Sequence, residues 1–170
     1  MKVASKISVV TAILLALAAH GAVADGGEPS FVAFHAGVYD INDDQTAGQV
    51  NIEYRSNWND WVVKPFGGVM ATTDTALYGY AGFLFDFKLS DRVVVTPNIA
   101  VGLYTDGDGK DLGSAIEFRS GVELAYRFDS RARLGVAVHH ISNASISSDN
   151  PGTETLTLVY SMPLNDPSAD

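Results

Sequence analysis

The chain has 170 residues, a formal net charge of −9 at pH 7 and no cysteine. The acidic balance argues against nucleic acid as a partner, because binding phosphates requires a basic surface. Without cysteine the chain has neither a disulfide framework nor a lipoprotein acylation site.

The first residues predict export. Two lysines precede an apolar run over residues 7–19, and the small-residue sequence Ala-Val-Ala follows at 22–24. These features are typical of a secretory signal peptide with its cleavage site. The run is shorter than the roughly 18 residues that a spanning helix needs, which argues against an anchor. We predict a signal peptide over residues 1–24 and one domain over residues 25–170; cleavage removes the two lysines and lowers the formal charge from −9 to −11.

Alternating polarity dominates the rest of the chain. In the clearest run, residues 114–128, apolar side chains fall on one face and charged or small side chains on the other. A period of two indicates a β-strand with two different faces. The runs lie near 30–40, 47–56, 61–72, 75–88, 92–104, 114–128, 131–144 and 153–163. Antiparallel barrels commonly close at about eight strands, so we predict an all-β protein that forms an eight-stranded antiparallel β-barrel.

The alternation has two interpretations. In a soluble barrel the apolar face points inward, whereas in an outer-membrane barrel it points to lipid and the polar face lines the lumen. A signal peptide without an anchor fits export through the periplasm. The polar face also carries charges that suit pairing in a narrow lumen: Glu117, Arg119, Glu123 and Arg127. We therefore predict a transmembrane β-barrel.

The connections between the runs support the membrane interpretation, because outer-membrane barrels have short periplasmic turns and longer extracellular loops. The predicted periplasmic turns are short and lie near 57–60, 89–91 and 129–131. The predicted outer loops near 41–46, 105–113 and 145–152 are longer, and only the link near Thr73 breaks the pattern. Aromatic residues gather at the predicted periplasmic rim, as in an interfacial girdle: Trp58, Trp61, Phe85, Phe87, Tyr126 and Phe128.

A base, a hydroxyl and a carboxylate occur near the C-terminus. His140 and Ser142 are two residues apart, so they share one face of a strand with Cα atoms about 6.5–7 Å apart. If the last two runs pair as a hairpin, Glu154 lies beside His140. A serine hydroxyl becomes a good nucleophile when an imidazole accepts its proton and a carboxylate fixes the imidazole tautomer. The spacing predicts a Ser-His-Glu triad.

The predicted topology places this triad on the lipid face at the outer rim. His140 and Ser142 share their face with the apolar residues of the same run, and Glu154 shares its face with Leu156 and Leu158. A charged side chain is costly at the bilayer centre, but the cost falls to about 0–1 kcal/mol near the interface. We therefore expect the substrate to be a lipid of the outer leaflet.

Residues 140–164 resemble the C-terminal signature of the lipid A 3-O-deacylase (PagL) family, eight-stranded outer-membrane barrels in which His-x-Ser-Asn precedes an acidic residue that opens the last strand. Ser142 lies two residues and Glu154 fourteen residues after His140, the spacing that the family uses. Residues 112–119 also resemble the family's sixth strand. The resemblance implies that Ser142 is the nucleophile, His140 the general base and Glu154 its orienting carboxylate. It also implies that Asn143 stabilises the oxyanion; because alternation points this side chain to the lumen, its backbone N–H is the alternative donor.

The implied activity is hydrolysis of the ester at the 3 position of lipid A through an acyl-enzyme. A 3-hydroxy fatty acid is released, and no metal or organic cofactor is implied. The implied location is the outer membrane of a Gram-negative bacterium, and the implied partners are lipid A or lipopolysaccharide of the outer leaflet and membrane lipids; a homodimer is also compatible with the sequence. Two alternatives are a non-enzymatic outer-membrane barrel with a structural or adhesive role and a periplasmic soluble barrel that carries a ligand.

Other polar residues have ordinary explanations. By alternation His139 faces the lumen, where we expect it to form structural hydrogen bonds, and we expect the same of His35. Residues 106–111 begin like a calcium-binding loop, but Lys110 occupies the fifth position, where that loop needs a ligand. We therefore do not expect calcium at this loop.

Overall fold

The computed structural model describes residues 28–57 and 63–164, in which it has nine β-strand segments. They are β1 (Phe31–Tyr39), β2 (Ala47–Arg55), β3 (Val63–Thr72), β4 (Leu77–Phe85), β5 (Phe87–Lys88), β6 (Val93–Thr105), β7 (Ile116–Arg127), β8 (Arg133–Ser142) and β9 (Thr153–Pro163). β4 and β5 form one barrel strand, because both pair with β6 in one continuous register. The ladder is interrupted where β6 carries Pro97, which has no N–H to donate.

The strands close into an antiparallel barrel, as predicted. Successive strands pair from β1 to β4 and from β6 to β9, β4 and β5 both pair with β6, and β1 pairs with β9 to complete the ring. The closing pair runs from Phe31 opposite Pro163 to Tyr39 opposite Thr155. Closure gives every described barrel strand a partner on both sides, which satisfies the backbone hydrogen bonds of the wall. No helix in the described residues is long and apolar enough to cross a membrane.

The barrel is apolar outside and polar inside. In β2, Val50 and Ile52 point outward and are exposed, whereas the alternate residues Asn51 and Glu53 are buried in the lumen. The other long strands repeat this pattern, and their outward residues are mostly large and apolar. An apolar wall around a polar interior is the arrangement of a transmembrane barrel. The soluble-barrel interpretation is therefore wrong, because it requires the apolar face to point inward.

Charged residues of β7 pair in the lumen, as predicted, and their partners lie on β2. Arg119 donates to Glu53 at 2.7 Å and Arg55 donates to Glu123 at 2.8 Å. Arg55 also donates to Glu53 at 2.9 Å, so one β2 carboxylate joins two arginines. The partners of Arg119 and Glu123 thus lie on β2, which faces β7 across the lumen. The Glu117 carboxylate is buried without a hydrogen-bond partner among the described residues.

A second group of ion pairs closes the end of the barrel at which β1 begins and β9 ends. The Glu28 carboxylate lies 2.9 Å from Lys88, 3.1 Å from Arg127 and 3.1 Å from Arg133. Arg133 also contacts Asp86 at 3.0 Å. Removing ions from water is costly unless they are paired, so these contacts make a charged interior compatible with a narrow lumen.

The two ends of the barrel differ in loop length, as expected. The described turns at the end where β1 begins and β9 ends cover residues 89–92 and 128–132. The loops at the opposite end cover residues 40–46, 73–76, 106–115 and 143–152. Of the predicted aromatic girdle, Tyr126 and Phe128 point outward near the first end with ring centroids 5.2 Å apart, and Phe85 and Phe87 are half-buried. Trp58 and Trp61 lie outside the described residues, as does the predicted signal peptide.

Candidate active site

His140 and Glu154 are direct neighbours on the outer wall of the barrel. They face each other in the β8–β9 register, and Nδ1 of His140 lies 3.3 Å from Oε1 of Glu154. The two side chains are 44% and 30% exposed. A carboxylate at Nδ1 favours the tautomer that carries its proton there, which leaves Nε2 free to accept a proton. The structure thus brings together two of the three residues of the predicted triad.

Ser142 ends β8 on the same outward face, one pleat beyond His140. Gly152, at a φ of +65°, lies over both residues: a Cβ built on it falls 3.1 Å from Cε1 of His140 and 3.6 Å from Cβ of Ser142. Cε1 of His140, which lies between the two ring nitrogens, therefore points toward the end of β8 that carries Ser142. The backbone of Gly152, which carries no side chain, therefore borders both His140 and Ser142.

Asn143 follows Ser142 but points away from this face. Its side chain is fully buried, and Nδ2 donates to the carbonyl oxygens of Leu112 at 2.9 Å and Asp149 at 2.7 Å. Its Oδ1 accepts a hydrogen bond from the backbone N–H of Ser145, and its own backbone N–H donates to Oδ1 of Asn150. Both groups that we considered as oxyanion donors are thus engaged in hydrogen bonds within the outer loops.

Ser120 is a residue of this face that the sequence analysis missed. It lies directly opposite His140 in the β7–β8 register, on the side away from Glu154. Its half-exposed hydroxyl stands between Phe118 and Val122, on the outward face that is otherwise apolar. In the sequence, the signal for this residue was a serine among the apolar residues that alternate along the outward face of β7. Two serines therefore lie next to the histidine, and the contacts of Gly152 favour Ser142 as its partner.

An apolar row lies immediately below the polar residues. Val122, Val138, Leu156 and Val38 are consecutive partners across β7, β8, β9 and β1. They are two residues along the strands from the level of His140, a distance of about 6.5–7 Å. The polar groups thus border the apolar belt of the barrel, which suits an amphipathic molecule whose ester group lies at the interface.

The outer loops around the site are acidic. Lys110 is the one basic residue of the described outer loops, and its Nζ donates to Asp40 at 2.8 Å and Asp43 at 2.9 Å. Burial alone would lower the pKa of Lys110, but these two hydrogen-bonded carboxylates raise it above its usual value. Within the described chain, no group of three or more His, Asp or Glu side chains is arranged to hold a metal ion.

The two other strand histidines lie in the lumen, as alternation predicts. His139 is almost fully buried, with Nδ1 at 3.5 Å from Oγ1 of Thr155 and its ring centroid 6.2 Å from that of His35. His35 contacts Thr157 at 3.3 Å and Glu53 at 3.3 Å. Neither ring reaches the outward face, so among the histidines of the described strands His140 is the one on the outer wall.

A closed antiparallel barrel with an apolar wall and a His-Glu pair on that wall defines the class: a transmembrane β-barrel with a hydrolase-like polar site. The family model described as Lipid A 3-O-deacylase (PagL) matches residues 32–163, and the chain therefore belongs to this family. This match covers every described strand except the first residue of β1.

Comparison with solved structures gives the same fold. The outer membrane enzyme PagL is 20% identical, with a TM-score of 0.65 and coverage of 79% of this chain and 99% of that chain. A de novo designed transmembrane β-barrel is 13% identical, with a TM-score of 0.57 and coverage of 80% of this chain and 97% of that chain. Identities this low establish the fold alone. A comparison with curated protein sequences found no match.

Proposed function

We propose that the protein is an outer-membrane esterase that hydrolyses the acyl chain ester-linked at the 3 position of lipid A. The observation that carries this proposal is the 3.3 Å contact between His140 and Glu154 on the lipid-facing wall of a member of the lipid A 3-O-deacylase family. A histidine held by a carboxylate is the arrangement that activates a serine for acyl transfer. The substrate class follows from the family and from the apolar row beneath the site.

In the proposed reaction Ser142 is the nucleophile and His140 the general base. Oγ of Ser142 attacks the ester carbonyl carbon while Nε2 of His140 takes the hydroxyl proton. Collapse of the tetrahedral intermediate breaks the bond to the sugar oxygen, which takes that proton from the imidazolium. Water then attacks the acyl-enzyme with His140 again as base, which releases a 3-hydroxy fatty acid and restores Ser142.

Glu154 has the role of the orienting carboxylate. Its contact with Nδ1 fixes the ring orientation and stabilises the positive charge that the imidazole acquires in the transition state. Its position near the start of β9 keeps this charge close to the interface, where the cost of exposure to lipid is about 0–1 kcal/mol. The triad therefore includes no charge at the bilayer centre.

Stabilisation of the oxyanion by Asn143 stays a prediction. Its amide and its backbone N–H both have partners in the loops, so direct donation requires one of these hydrogen bonds to exchange. The location of the site supports lipid A or lipopolysaccharide of the outer leaflet, within surrounding membrane lipids, as the partner. No observation on the described residues supports the homodimer.

A non-enzymatic structural or adhesive barrel is the second candidate, but the outward face argues against it. Such a barrel gains nothing from a carboxylate and an imidazole turned toward lipid, because polar groups on this face are destabilising. The apolar row of Val122, Val138 and Leu156 immediately below shows what the wall carries where no chemistry is needed.

Mass spectrometry of lipid A tests the proposal. The mature barrel, refolded in detergent, is incubated with lipid A beside the Ser142→Ala variant. We expect loss of one 3-hydroxyacyl chain and appearance of the free fatty acid with the unaltered protein only. Unchanged lipid A with both folded proteins would refute the proposed activity.

A further inference from the structure

The loop that follows Ser142 begins in a strained conformation. Ala144 and Ser145 have φ values of 53° and 64°, and the N–H of Ile146 donates to the carbonyl of Asn143 at 3.1 Å. Two successive left-handed residues are typical of a type I′ turn, where Gly, Asn and Asp are the preferred residues. Alanine and serine do not favour this conformation by themselves. Contacts outside the turn must therefore hold it.

Asn143 provides these contacts. Its Oδ1 accepts from the N–H of Ser145 at 2.9 Å, which supports the turn from within. Its Nδ2 joins the carbonyl of Asp149, at the far end of the same loop, to the carbonyl of Leu112 in the 106–115 loop. One fully buried amide thus links both ends of the 143–152 loop to its neighbour.

The 106–115 loop meets this amide through a glycine. Gly113 has a φ of +82°, and a Cβ built on it falls 2.3 Å from the carbonyl oxygen of Asp149 and 3.3 Å from Nδ2 of Asn143. The adjacent Leu112 is fully buried, which anchors this side of the contact. No side chain fits at residue 113 without moving the backbone of the neighbouring loop.

We propose that Asn143 is a positioning residue, which clamps the 143–152 loop to the 106–115 loop, and that Gly113 is the part of the clamp that permits their close approach. The clamp controls catalysis because the loop that it holds begins next to Ser142 and ends at Gly152, which borders His140. In this role Asn143 acts through the loop and not on the reacting atoms, so the clamp is an alternative to the predicted oxyanion role of Asn143. This inference rests on the proposed function, since it assigns the clamp a role in placing Ser142.

Two variants disturb the clamp from opposite sides. Asn143→Asp keeps the size of the side chain and the acceptor for Ser145, but it replaces the donor amide with an oxygen that faces two carbonyl oxygens. Gly113→Ala leaves Asn143 unaltered and forces the loops apart. Gly79→Ala is the matched control, because a Cβ there meets no atom within 4 Å. Heat-modifiable migration on gels verifies that each variant forms the barrel.

The experiment measures kcat and KM with lipid A, the rate at which a lipid-like fluorophosphonate labels Ser142, and hydrogen exchange of the 143–152 amides. We expect both clamp variants to lose about 10–100-fold in kcat and in labelling rate, because small misplacements of a reacting group have effects of this size. We also expect KM to stay similar and the amides of the 143–152 loop to exchange faster. The kcat of the double variant should be no lower than that of the less active single variant. Gly79→Ala should match the unaltered protein.

Distinct results overturn the clamp and the proposed function. If Gly113→Ala keeps full kcat and labelling while Asn143→Asp loses both, Asn143 acts directly on the reaction and the clamp is refuted. Equal labelling of the unaltered protein and both variants also refutes it. If Ser142 of the unaltered protein is not labelled and lipid A is not hydrolysed, the proposed function itself fails.

Discussion

Ser120 and His140 lie directly opposite each other on β7 and β8, on the outward face of the barrel. His140 thus has one serine beside it on the neighbouring strand and a second, Ser142, on its own strand. Its Nδ1 is turned toward Glu154 on the other side, and Gly152 lies near Cε1 and Ser142. The shared contact with Gly152 favours Ser142 over Ser120 as the predicted nucleophile.

Replacing each serine in turn separates their roles. We expect Ser142→Ala to lower kcat at least about 1,000-fold, because loss of a nucleophile removes the acyl-enzyme route. We expect Ser120→Ala to change kcat less than about 10-fold, since Ser142 and not Ser120 is the predicted nucleophile. Release of fatty acid from lipid A measures both. The reverse order of effects would make Ser120 the nucleophile.

Glu154→Gln tests the orienting carboxylate. The variant keeps the shape of the side chain but removes the charge beside Nδ1 of His140, and its amide nitrogen is able to favour the opposite tautomer. We expect kcat to fall about 100- to 10,000-fold, within the range for such carboxylates. Thermal stability should stay nearly constant because the side chain is partly exposed. Full activity of this variant would show that His140 acts without Glu154.

Gly152→Ala tests whether the site requires a residue without a side chain at position 152. The added methyl group lies 3.1 Å from Cε1 of His140, at a φ of +65° that disfavours alanine. The imidazole must move by a few tenths of an ångström, so we expect a roughly 10- to 100-fold lower kcat with an intact barrel. Steady-state kinetics with lipid A provide the measurement, and Gly79→Ala is the control. An unchanged kcat would mean that the ring tolerates the shift.

The acidic outer loops predict an unusual dependence on salt. Lipid A carries phosphates, and the single basic residue of the described outer loops is already paired with Asp40 and Asp43. Repulsion between like charges should weaken as the Debye length falls from about 30 Å at 0.01 M salt to about 8 Å at 0.15 M. We expect KM for lipid A to decrease several-fold over this range, and more with Mg²⁺ than with Na⁺. A neutral ester serves as the control, and a KM that rises with salt would contradict the prediction.

Glu28 predicts how stability depends on pH. Burial alone would raise its pKa, but Lys88, Arg133 and Arg127 outweigh this effect and lower the pKa below its usual value. A lowered pKa means that the ion pairs stabilise the fold above the pKa of the unfolded chain and that this contribution is lost as pH falls through the folded pKa. We expect Glu28→Gln to destabilise the barrel by about 1–3 kcal/mol at pH 7, because it removes a charged hydrogen-bond acceptor while Arg133 keeps its contact with Asp86.

Unfolding in urea at pH 7 and pH 3 measures this effect. The difference between Glu28→Gln and the unaltered protein should shrink at the lower pH, because Glu28 takes up a proton in the unfolded chain before it does in the folded barrel. Equal differences at both pH values would show that the ion pairs of Glu28 contribute little.

The sequence predicted those features that depend on local periodicity. Alternation assigned the outward and lumenal faces of β7, and the spacing of His140 and Glu154 matched the hairpin that brings them together. The lumenal ion pairs were not predictable in this way. The contact of Arg119 with Glu53 joins strands far apart in sequence, and it requires the closed ring and its register.

Two features of the site also depend on tertiary packing. Ser120 reaches His140 through the β7–β8 register, which no short motif indicates. The engagement of Asn143 with Leu112 requires two loops that are adjacent only in the folded barrel. Sequence spacing therefore identifies the His-Glu pair, but it does not show what positions Ser142.

The most direct test of the account is the identity of the acylated residue. The refolded protein is mixed with lipid A, quenched in acid during turnover and digested, and the peptides are examined by mass spectrometry. The account predicts a 3-hydroxyacyl group on the peptide that contains Ser142, and no such group in the Ser142→Ala variant. An acyl group on Ser120, or continued hydrolysis by Ser142→Ala, would contradict it.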